Sequence, residues 1–171
     1  MTGERALTIR PETPEDAPAI AALLQSAFGG PMEANLVERL RADGDLALAL
    51  VAIEGDDIVG YVGWPRLSLE TAQGARSAAA LAPLAVTPPR HGNGIGSALV
   101  RAGLDELRAG GETLVFVLGD PDYYRRFGFS LKTARLFESI YTGTHFMALR
   151  LDPGAPERGR LRYPAPFDTL T

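Results

Sequence analysis

The amino-acid sequence predicts one domain, residues 1–171, of the α+β or mixed α/β class. Short apolar runs of strand length alternate along the chain with longer segments in which apolar residues recur at helical spacing. Their order is β-α-α-β-β-β-α-β-α-β-β, which is typical of one sheet covered by helices. A chain of this length can bury a full hydrophobic core, and no internal repeat or linker divides it.

The first half of the chain is predicted to contain a strand, two helices and a hairpin. Thr13 is a suitable N-cap for the first helix because Pro14 follows it at the first helical position. Apolar residues recur at helical spacing up to Phe28, after which two glycines and a proline end the helix. The predicted bounds are a strand at 7–10, a second helix at 33–41, and hairpin strands at 46–53 and 58–64, the latter closed by Pro65.

The second half begins with a polar segment, 70–76, that we interpret as a loop. A strand at 78–86 follows, although its alanines have low strand propensity. A helix up to about Arg108 has a clear apolar stripe, and two glycines end it. The remaining predictions are strands at 113–118, 131–137 and 144–151, a short helix at 120–127, and a C-terminal tail, 152–171, that is an ordered edge segment or a loose end.

Composition and charge narrow the functional classes. The net charge is -4 without a broad basic field, so nucleic acid is not expected as a partner. The chain has no cysteine and only two histidines, which excludes thiolate zinc sites and a cysteine acyl-enzyme and argues against a metal. No apolar run approaches the roughly 20 residues of a membrane span, and the N-terminus does not resemble a signal peptide. We therefore expect a cytoplasmic protein with no membrane partner.

The segment 84–99 contains the main functional signal. It indicates a strand, a turn with glycines at 92, 94 and 96, and the start of a helix. Free N–H groups at a helix start attract anions, and glycines let phosphate oxygens approach the main chain. An ordinary glycine turn stays an alternative. A dinucleotide fingerprint fits less well because five residues, two of them prolines, separate the strand from the first glycine, and a Walker loop would need Gly-Lys-Ser/Thr.

Two motifs resemble those of the GNAT superfamily of N-acetyltransferases. Leu84-x-Val86-x-Pro88 followed by His91-x-x-Gly94-x-Gly96 resembles the acetyl-CoA motif of that family. The segment 119–129 resembles the family's Tyr-x-x-x-Gly-Phe motif, and the stretch 82–129 with Arg162-Tyr-Pro is similar to the YhbS-like branch. His91 departs from the family pattern, which has Gln or Arg there, and the adjacent Arg90 could take over a phosphate contact.

The resemblance implies a fold, a co-substrate and a reaction. The fold is a central, mostly antiparallel and splayed sheet flanked by helices. The co-substrate is acetyl-CoA, whose acetyl group moves to a primary amine of a small molecule or peptide by direct attack in a ternary complex. A backbone N–H near Ala85 or Val86 would polarise the thioester carbonyl. The implied cofactor-binding residues are Leu84, Ala85, Val86, His91, Gly92, Asn93, Gly94, Ile95, Gly96 and Ser97.

The resemblance also implies a catalytic residue. Tyr124 matches the family tyrosine and is the expected general acid for the leaving thiolate, because tyrosine is protonated at neutral pH. Tyr123 is expected to pack or to line the acceptor cleft. Trp64 could line the acceptor site, although a lone tryptophan is more often a core residue. Asp120 is best explained as a helix N-cap.

The sequence does not decide which group removes the proton from the amine. Glu33, Glu138 and His145 are candidates, each with the alternative of an ordinary surface or structural role. Arg125 and Arg126 could contact CoA phosphates, or they could simply be solvated.

Three functions stay open. Tyr124 favours a catalytic N-acetyltransferase over a non-catalytic acyl-CoA-binding or sensing module. The spacing of the glycine turn disfavours a nucleotide-dependent oxidoreductase. The sequence has no feature that identifies the acceptor or that decides between a monomer and a homodimer.

Overall fold

The computed structural model of the chain describes residues 6–170, with side chains described as far as Asp168. Its strands are β1 Leu7–Pro11, β2 Leu46–Glu54, β3 Asp57–Thr71, β4 Gly74–Leu81, β5 Leu84–Val86, β6 Leu114–Leu118, β7 Phe137–Glu138, β8 Phe146–Arg150 and β9 Gly159–Arg162. Along its main path the sheet has the order β1-β2-β3-β4-β6-β8, while β5 and β9 pair with β3. Of the strand pairs described, β4–β6 and β7–β9 are parallel and the others are antiparallel.

Helices cover both faces of the sheet. The α-helices are α1 Ala17–Phe28, α2 Met32–Ala42, α3 Ile95–Ala109, α4 Pro121–Tyr124 and α5 Leu131–Ala134. Side chains alternate between the faces of a strand, so Val62 and Trp64 of β3 pack with α3 while Tyr61 packs with α1 and α2. The predicted class, a mostly antiparallel sheet flanked by helices, is confirmed. Among the described residues, no helix is both long and apolar enough to cross a bilayer.

The sheet splays because β3 changes partners along its length. Up to Pro65, β3 pairs with β2 and β5, and from Arg66 onward it pairs with β4 and β9. β4 pairs with β6 only at residues 79–81. No described strand pairs with the other edge of β5. The sheet is therefore open between β5 and β6.

Two predictions about β3 and β4 are wrong. Pro65 does not close the hairpin strand, because β3 continues to Thr71. Pro65 lies where the β2–β3 register shifts, so its missing N–H costs little hydrogen bonding in the ladder. The predicted loop at 70–76 belongs mostly to a second hairpin, with buried Leu67 and Leu69 alternating with exposed polar residues. Residues 70–76 form the tip of this hairpin and are nearly all exposed, so their polar composition resembles that of a loop.

Two further predicted strands are broken in the structure. The strand at 78–86 is divided into β4 and β5 by a cis Ala82-Pro83 peptide bond. The segment 131–137 contains the short helix α5 before β7, because the Ser130 hydroxyl accepts a hydrogen bond from the Thr133 N–H at 3.2 Å and starts a helix there.

The C-terminal tail forms part of the sheet. β9 pairs with the second half of β3 and with β7. A 3₁₀ helix, Ala165–Leu170, follows it, and Phe167 packs on Leu36 and Leu40 of α2. Of the two alternatives for the tail, the structure therefore supports the ordered edge segment.

Candidate functional site

The glycine turn leads directly into the N-terminus of α3. Gly92 and Gly94 have φ values of 83° and 76°, in the left-handed region that favours glycine. Gly94 is the N-cap residue, and no side chain caps the helix. The first N–H groups of α3 therefore have no acceptor within the helix, and the helix dipole adds positive charge at this end.

A cavity of about 490 Å³ lies in front of this helix end. We call it the glycine groove. Leu84 and Val86 of β5 form one side, the turn and the first residues of α3 form another, and Tyr123 and Arg126 lie across from them. A groove with free amides at its base is suited to a phosphate group.

The unpaired edge of β5 borders the glycine groove. In an antiparallel pair, hydrogen-bonded positions alternate with positions that do not exchange hydrogen bonds. Thr87 N–H donates to Val59 O, and Gly63 N–H donates to Pro83 O, so Ala85 lies at a hydrogen-bonded position opposite Tyr61. The main-chain groups of Leu84 and Val86 consequently point away from β3, toward the opening of the sheet.

His91 and its neighbours brace the turn. The His91 imidazole Nε2 lies 2.8 Å from Val86 O, on the open edge of β5. The Arg90 guanidinium forms an ion pair with Glu54, and Arg90 also lines the groove. The Asn93 side-chain amide donates to Arg90 O at 3.1 Å and closes the loop on itself.

Tyr123 lines the glycine groove and not the second cavity described below. Its hydroxyl is 3.3 Å from Ser97 Oγ, and its ring carries the Arg126 guanidinium at 4.5 Å from the ring centre. Arg126 also lines the groove. Arg125 is exposed and only weakly paired with Asp122, at 3.8 Å. Sequence analysis missed Tyr123 as a groove residue because the family motif points to Tyr124.

A second cavity, of about 320 Å³, adjoins the groove at Leu84, which lines both. We call it the apolar pocket. Its walls come from the ends of α1 and α2, from residues 80–84, from β6 and from the C-terminal tail. Tyr124 lines the apolar pocket, whereas Tyr123 lines the groove. Adjacent residues of α4 therefore line adjoining cavities.

Local structure fixes the position of Tyr124. Asp120 caps α4 by accepting the Asp122 N–H at 3.0 Å. Gly119 lies under the Tyr124 ring, where a Cβ atom would come within 2.6 Å of the ring edge. Burial, followed by the neighbouring Tyr123, raises the pKa of Tyr124 to about 12. The hydroxyl therefore stays protonated across the neutral range, as a proton donor must.

The three candidate bases lie in different places. Glu33, on the first turn of α2, lines the apolar pocket with Tyr124. Glu138 is exposed and paired with Arg160 at 3.0 Å. His145 is exposed, with its Nδ1 3.1 Å from Thr144 Oγ1. Neither Glu138 nor His145 lines either cavity.

The prediction that Trp64 could line the acceptor site is wrong. Trp64 has no exposed surface and lies in the core between the sheet and α3. Among the residues that the structure describes, no group of three histidine, cysteine or acidic side chains could hold a metal ion.

Comparison with known proteins identifies the class of protein that this fold and site belong to. The family model for the acetyltransferase (GNAT) domain matches residues 8–132. The match covers more than half of the chain, so this protein belongs to the GNAT family of N-acetyltransferases.

Individual relatives agree with the family assignment. The chain is 40% identical to YhbS of Escherichia coli (strain K12), named an uncharacterized N-acetyltransferase, over 139 residues, 81% of this chain and 82% of YhbS. Its structure is similar to that of E. coli YhbS in complex with CoA, with a TM-score of 0.87, 35% identity and coverage of 98% and 95% of the two chains. It is also similar to a GNAT acetyltransferase from Brucella melitensis in complex with acetyl-CoA, with a TM-score of 0.81, 33% identity and coverage of 96% and 99%.

Proposed function

We propose that this protein transfers the acetyl group of acetyl-CoA directly to a primary amine, with acetyl-CoA in the glycine groove and the amine in the apolar pocket. The observation that carries the proposal is the meeting of the two cavities at Leu84, beside the open edge of β5 and the hydroxyl-bearing ring of Tyr124. A thioester placed at that junction would face both the amine and a proton donor.

Main-chain groups are proposed to hold the cofactor. The pyrophosphate would accept hydrogen bonds from the amides of Gly92 to Ser97 at the start of α3. The pantetheine arm would run along β5 and use the outward groups of Leu84 and Val86. Because the sheet register assigns Ala85 to hydrogen bonding with β3, we assign the polarisation of the thioester carbonyl to an outward N–H of this edge, that of Leu84 or of Val86. The His91 contact on Val86 O supports the view that this edge accepts polar partners.

The proposed chemistry is a single displacement. The neutral amine nitrogen attacks the thioester carbon, a C–N bond forms, and the C–S bond breaks. The attacking nitrogen carries an extra proton once the C–N bond has formed, and it releases that proton to solvent. The CoA thiolate takes its proton from the Tyr124 hydroxyl, and Tyr124 regains one from solvent. The amine arrives as an ammonium ion with a pKa near 10, so it must release a proton before attack. We assign that proton to Glu33 or to water beside it, since Glu33 is the carboxylate among the described residues lining the pocket.

Calorimetric titration with acetyl-CoA, CoA and NADH tests the proposal. We expect acetyl-CoA and CoA to bind with similar affinity and NADH not to bind. Release of CoA thiol on adding an amine would then establish turnover. Absence of acetyl-CoA binding would overturn the proposal. Binding with no turnover over a broad amine screen would favour the non-catalytic acyl-CoA-binding module instead.

A further inference from the structure

The chemistry of the apolar pocket is unusual for an amine site. Its walls are mostly aliphatic and aromatic, and they include the rings of Phe116, Tyr141, Tyr163 and Phe167. Phe28, at its rim, is apolar although 45% exposed. Among the described lining residues, Glu33 is the only carboxylate, and none is lysine, arginine or histidine. The volume, about 320 Å³, is at the small end of small-molecule sites.

Glu33 differs from three partly buried carboxylates elsewhere in the protein that are paired with arginine, although half-buried Asp45, outside the pocket, has no ion pair with a described residue either. Asp16, Glu12 and Glu54 each form an ion pair with an arginine. Glu33 is half-buried, yet it makes no hydrogen bond or ion pair with another described residue. A carboxylate at an apolar cavity is more stable with a cation beside it than alone. Because Glu33 has no cationic partner among the described residues, a positively charged ligand would supply the counter-charge.

We propose that the acceptor is a primary monoamine with an apolar, uncharged body, and that Glu33 pairs with its ammonium group. This inference rests on the proposed acetyl transfer. One carboxylate compensates one positive charge. A second ammonium, as in a polyamine or an aminoglycoside, would be desolvated without a partner. The carboxylate of a free amino acid would also lack a cationic partner among the lining side chains. The aromatic walls would instead bury the apolar body.

A matched set of acceptors tests this substrate class. Phenethylamine carries one charge on an aromatic body, phenylalanine adds a carboxylate, and putrescine replaces the ring by a second ammonium. With saturating acetyl-CoA, we expect kcat/KM for phenethylamine to exceed that for the other two by about tenfold or more, since each leaves a charge unpaired. CoA thiol release measures the rates. Titration of phenethylamine into the CoA-saturated protein measures binding without chemistry.

Failure of this inference can be told apart from failure of the proposed function. If acetyl-CoA does not bind, the proposed acetyl transfer falls, and the acceptor class falls with it. If acetyl-CoA binds and turnover is seen only with phenylalanine or putrescine, acetyl transfer stands and the monoamine class is overturned. If acetyl-CoA binds and phenethylamine neither binds nor reacts, the monoamine class is likewise overturned.

Substitution of Glu33 tests the counter-charge. We expect Glu33→Gln to lower kcat/KM for phenethylamine about 10- to 100-fold, while the Kd for acetyl-CoA and the unfolding midpoint stay unchanged. Glu38→Gln is the matched control, because Glu38 lies on the exposed face of the same helix and outside the apolar pocket. Equal kinetics for the two variants would remove Glu33 as the ammonium partner.

Discussion

The glycine groove and the apolar pocket share Leu84 but are built in different ways. One continuous segment, from β5 into α3, supplies most of the groove, and the binding groups that we propose for it are main-chain amides. The apolar pocket is assembled from side chains of α1, α2, the β4–β5 connection, β6 and the C-terminal tail. Main-chain groups do not depend on residue type, whereas every side chain of the pocket can be exchanged. A groove lined by main-chain groups suits a ligand that stays the same when the sequence changes. A pocket lined by side chains can be adapted to one particular acceptor.

Kinetics can separate the two cavities if this comparison is correct. Substitutions in the groove should change the Kd for acetyl-CoA, and substitutions in the pocket should change the kinetic constants for the amine. Tyr124 lines the apolar pocket, and its ring packs edge-on against the groove residue Tyr123, with ring centroids 4.9 Å apart, so its hydroxyl should act on turnover itself. The following predictions run from the largest expected effect on acetyl transfer to the smallest.

Loss of the Tyr124 hydroxyl should have the largest effect. We expect Tyr124→Phe to lower kcat by about 10² to 10⁴, because the thiolate loses its proton donor, and to leave the Kd for acetyl-CoA unchanged. Tyr61→Phe is the control, since Tyr61 is fully buried outside both cavities and its hydroxyl has no hydrogen-bond partner among the described residues. Steady-state rates and calorimetry measure the two quantities. A rate for Tyr124→Phe equal to that of the control would exclude Tyr124 as the general acid.

The pH profile tests the same residue independently. The pKa of Tyr124 is raised to about 12, so its acid form persists well above the pH at which an ordinary tyrosine, with a pKa near 10, ionises. We therefore expect kcat/KM to rise up to about pH 10 as the amine loses its proton and not to decline at any pH below about 11. A fall centred near pH 10 would contradict the raised pKa.

Strain in the glycine turn should weaken the binding of acetyl-CoA and leave the KM for the acceptor unchanged. Gly94→Ala places a Cβ at a φ of 76°, which costs about 1–2 kcal/mol and displaces the amides at the start of α3. We expect acetyl-CoA to bind about tenfold more weakly, with the acceptor KM unchanged. Gly29→Ala is a close control, because Gly29 has a φ of 75° at the C-terminus of α1 and lies outside both cavities. It should show a similar loss of stability by urea unfolding and no loss of binding.

The same contrast explains what the sequence could predict. The glycine groove was accessible to sequence analysis because a local segment with alternate glycines before an amphipathic helix specifies it. Tyr124 could be singled out because it matches the tyrosine of the family's Tyr-x-x-x-Gly-Phe motif. His91 was correctly placed beside the turn, but its contact with Val86 O depends on the course of β5 and could not be derived from residue spacing.

The apolar pocket was largely hidden from sequence analysis. Tyr141, Tyr163 and Phe167 reach it from segments more than a hundred residues beyond Glu33, and for Tyr163 and Phe167 the path of the tail along β3 brings them there. The prediction that Pro65 closes a strand put Trp64 at a strand end, whereas β3 continues past it to Thr71 and Trp64 is fully buried. Non-local pairing of this kind leaves no periodic signal in either segment by itself.

Substitution of Phe28, at the rim of the apolar pocket, should impair acetylation of the amine less than substitution of Glu33 does. Phe28→Ala removes an aromatic surface that is about half exposed in the free protein and would be covered by an apolar acceptor. Covering half of a phenylalanine is worth about 1 kcal/mol, so we expect the KM for phenethylamine to rise about fivefold. Met32→Ala changes a similarly exposed apolar residue that does not line the pocket, and it should leave the KM unchanged. A KM for Phe28→Ala equal to that of Met32→Ala would mean that the acceptor does not reach the rim.

A change distant from both cavities should alter stability and leave acetyl transfer unchanged. Asp16 is buried between β1 and α1, where it accepts hydrogen bonds from the Arg10 guanidinium at 2.7 and 3.0 Å and from the Thr13 N–H at 2.7 Å. Arg10, followed by Thr13, lowers the pKa of Asp16 to about 2 against the opposing effect of burial. Asp16→Asn removes the charge, and we expect it to lower the unfolding free energy at pH 7 by about 1 kcal/mol, because solvent reaches Arg10 and screens the pair.

The pH dependence of that loss follows from the direction of the pKa shift. A carboxylate whose folded pKa lies below its unfolded value of about 3.9 stabilises the fold fully above that value, and the stabilisation disappears as pH falls through the folded pKa. The difference between wild type and Asp16→Asn should therefore be constant from pH 7 to about pH 5 and shrink between pH 4 and 2. Urea unfolding across this range measures it, with the KM values for acetyl-CoA and amine taken at pH 7. A change in either KM would show that the β1–α1 region is coupled to the cavities and would contradict their separation from the rest of the fold.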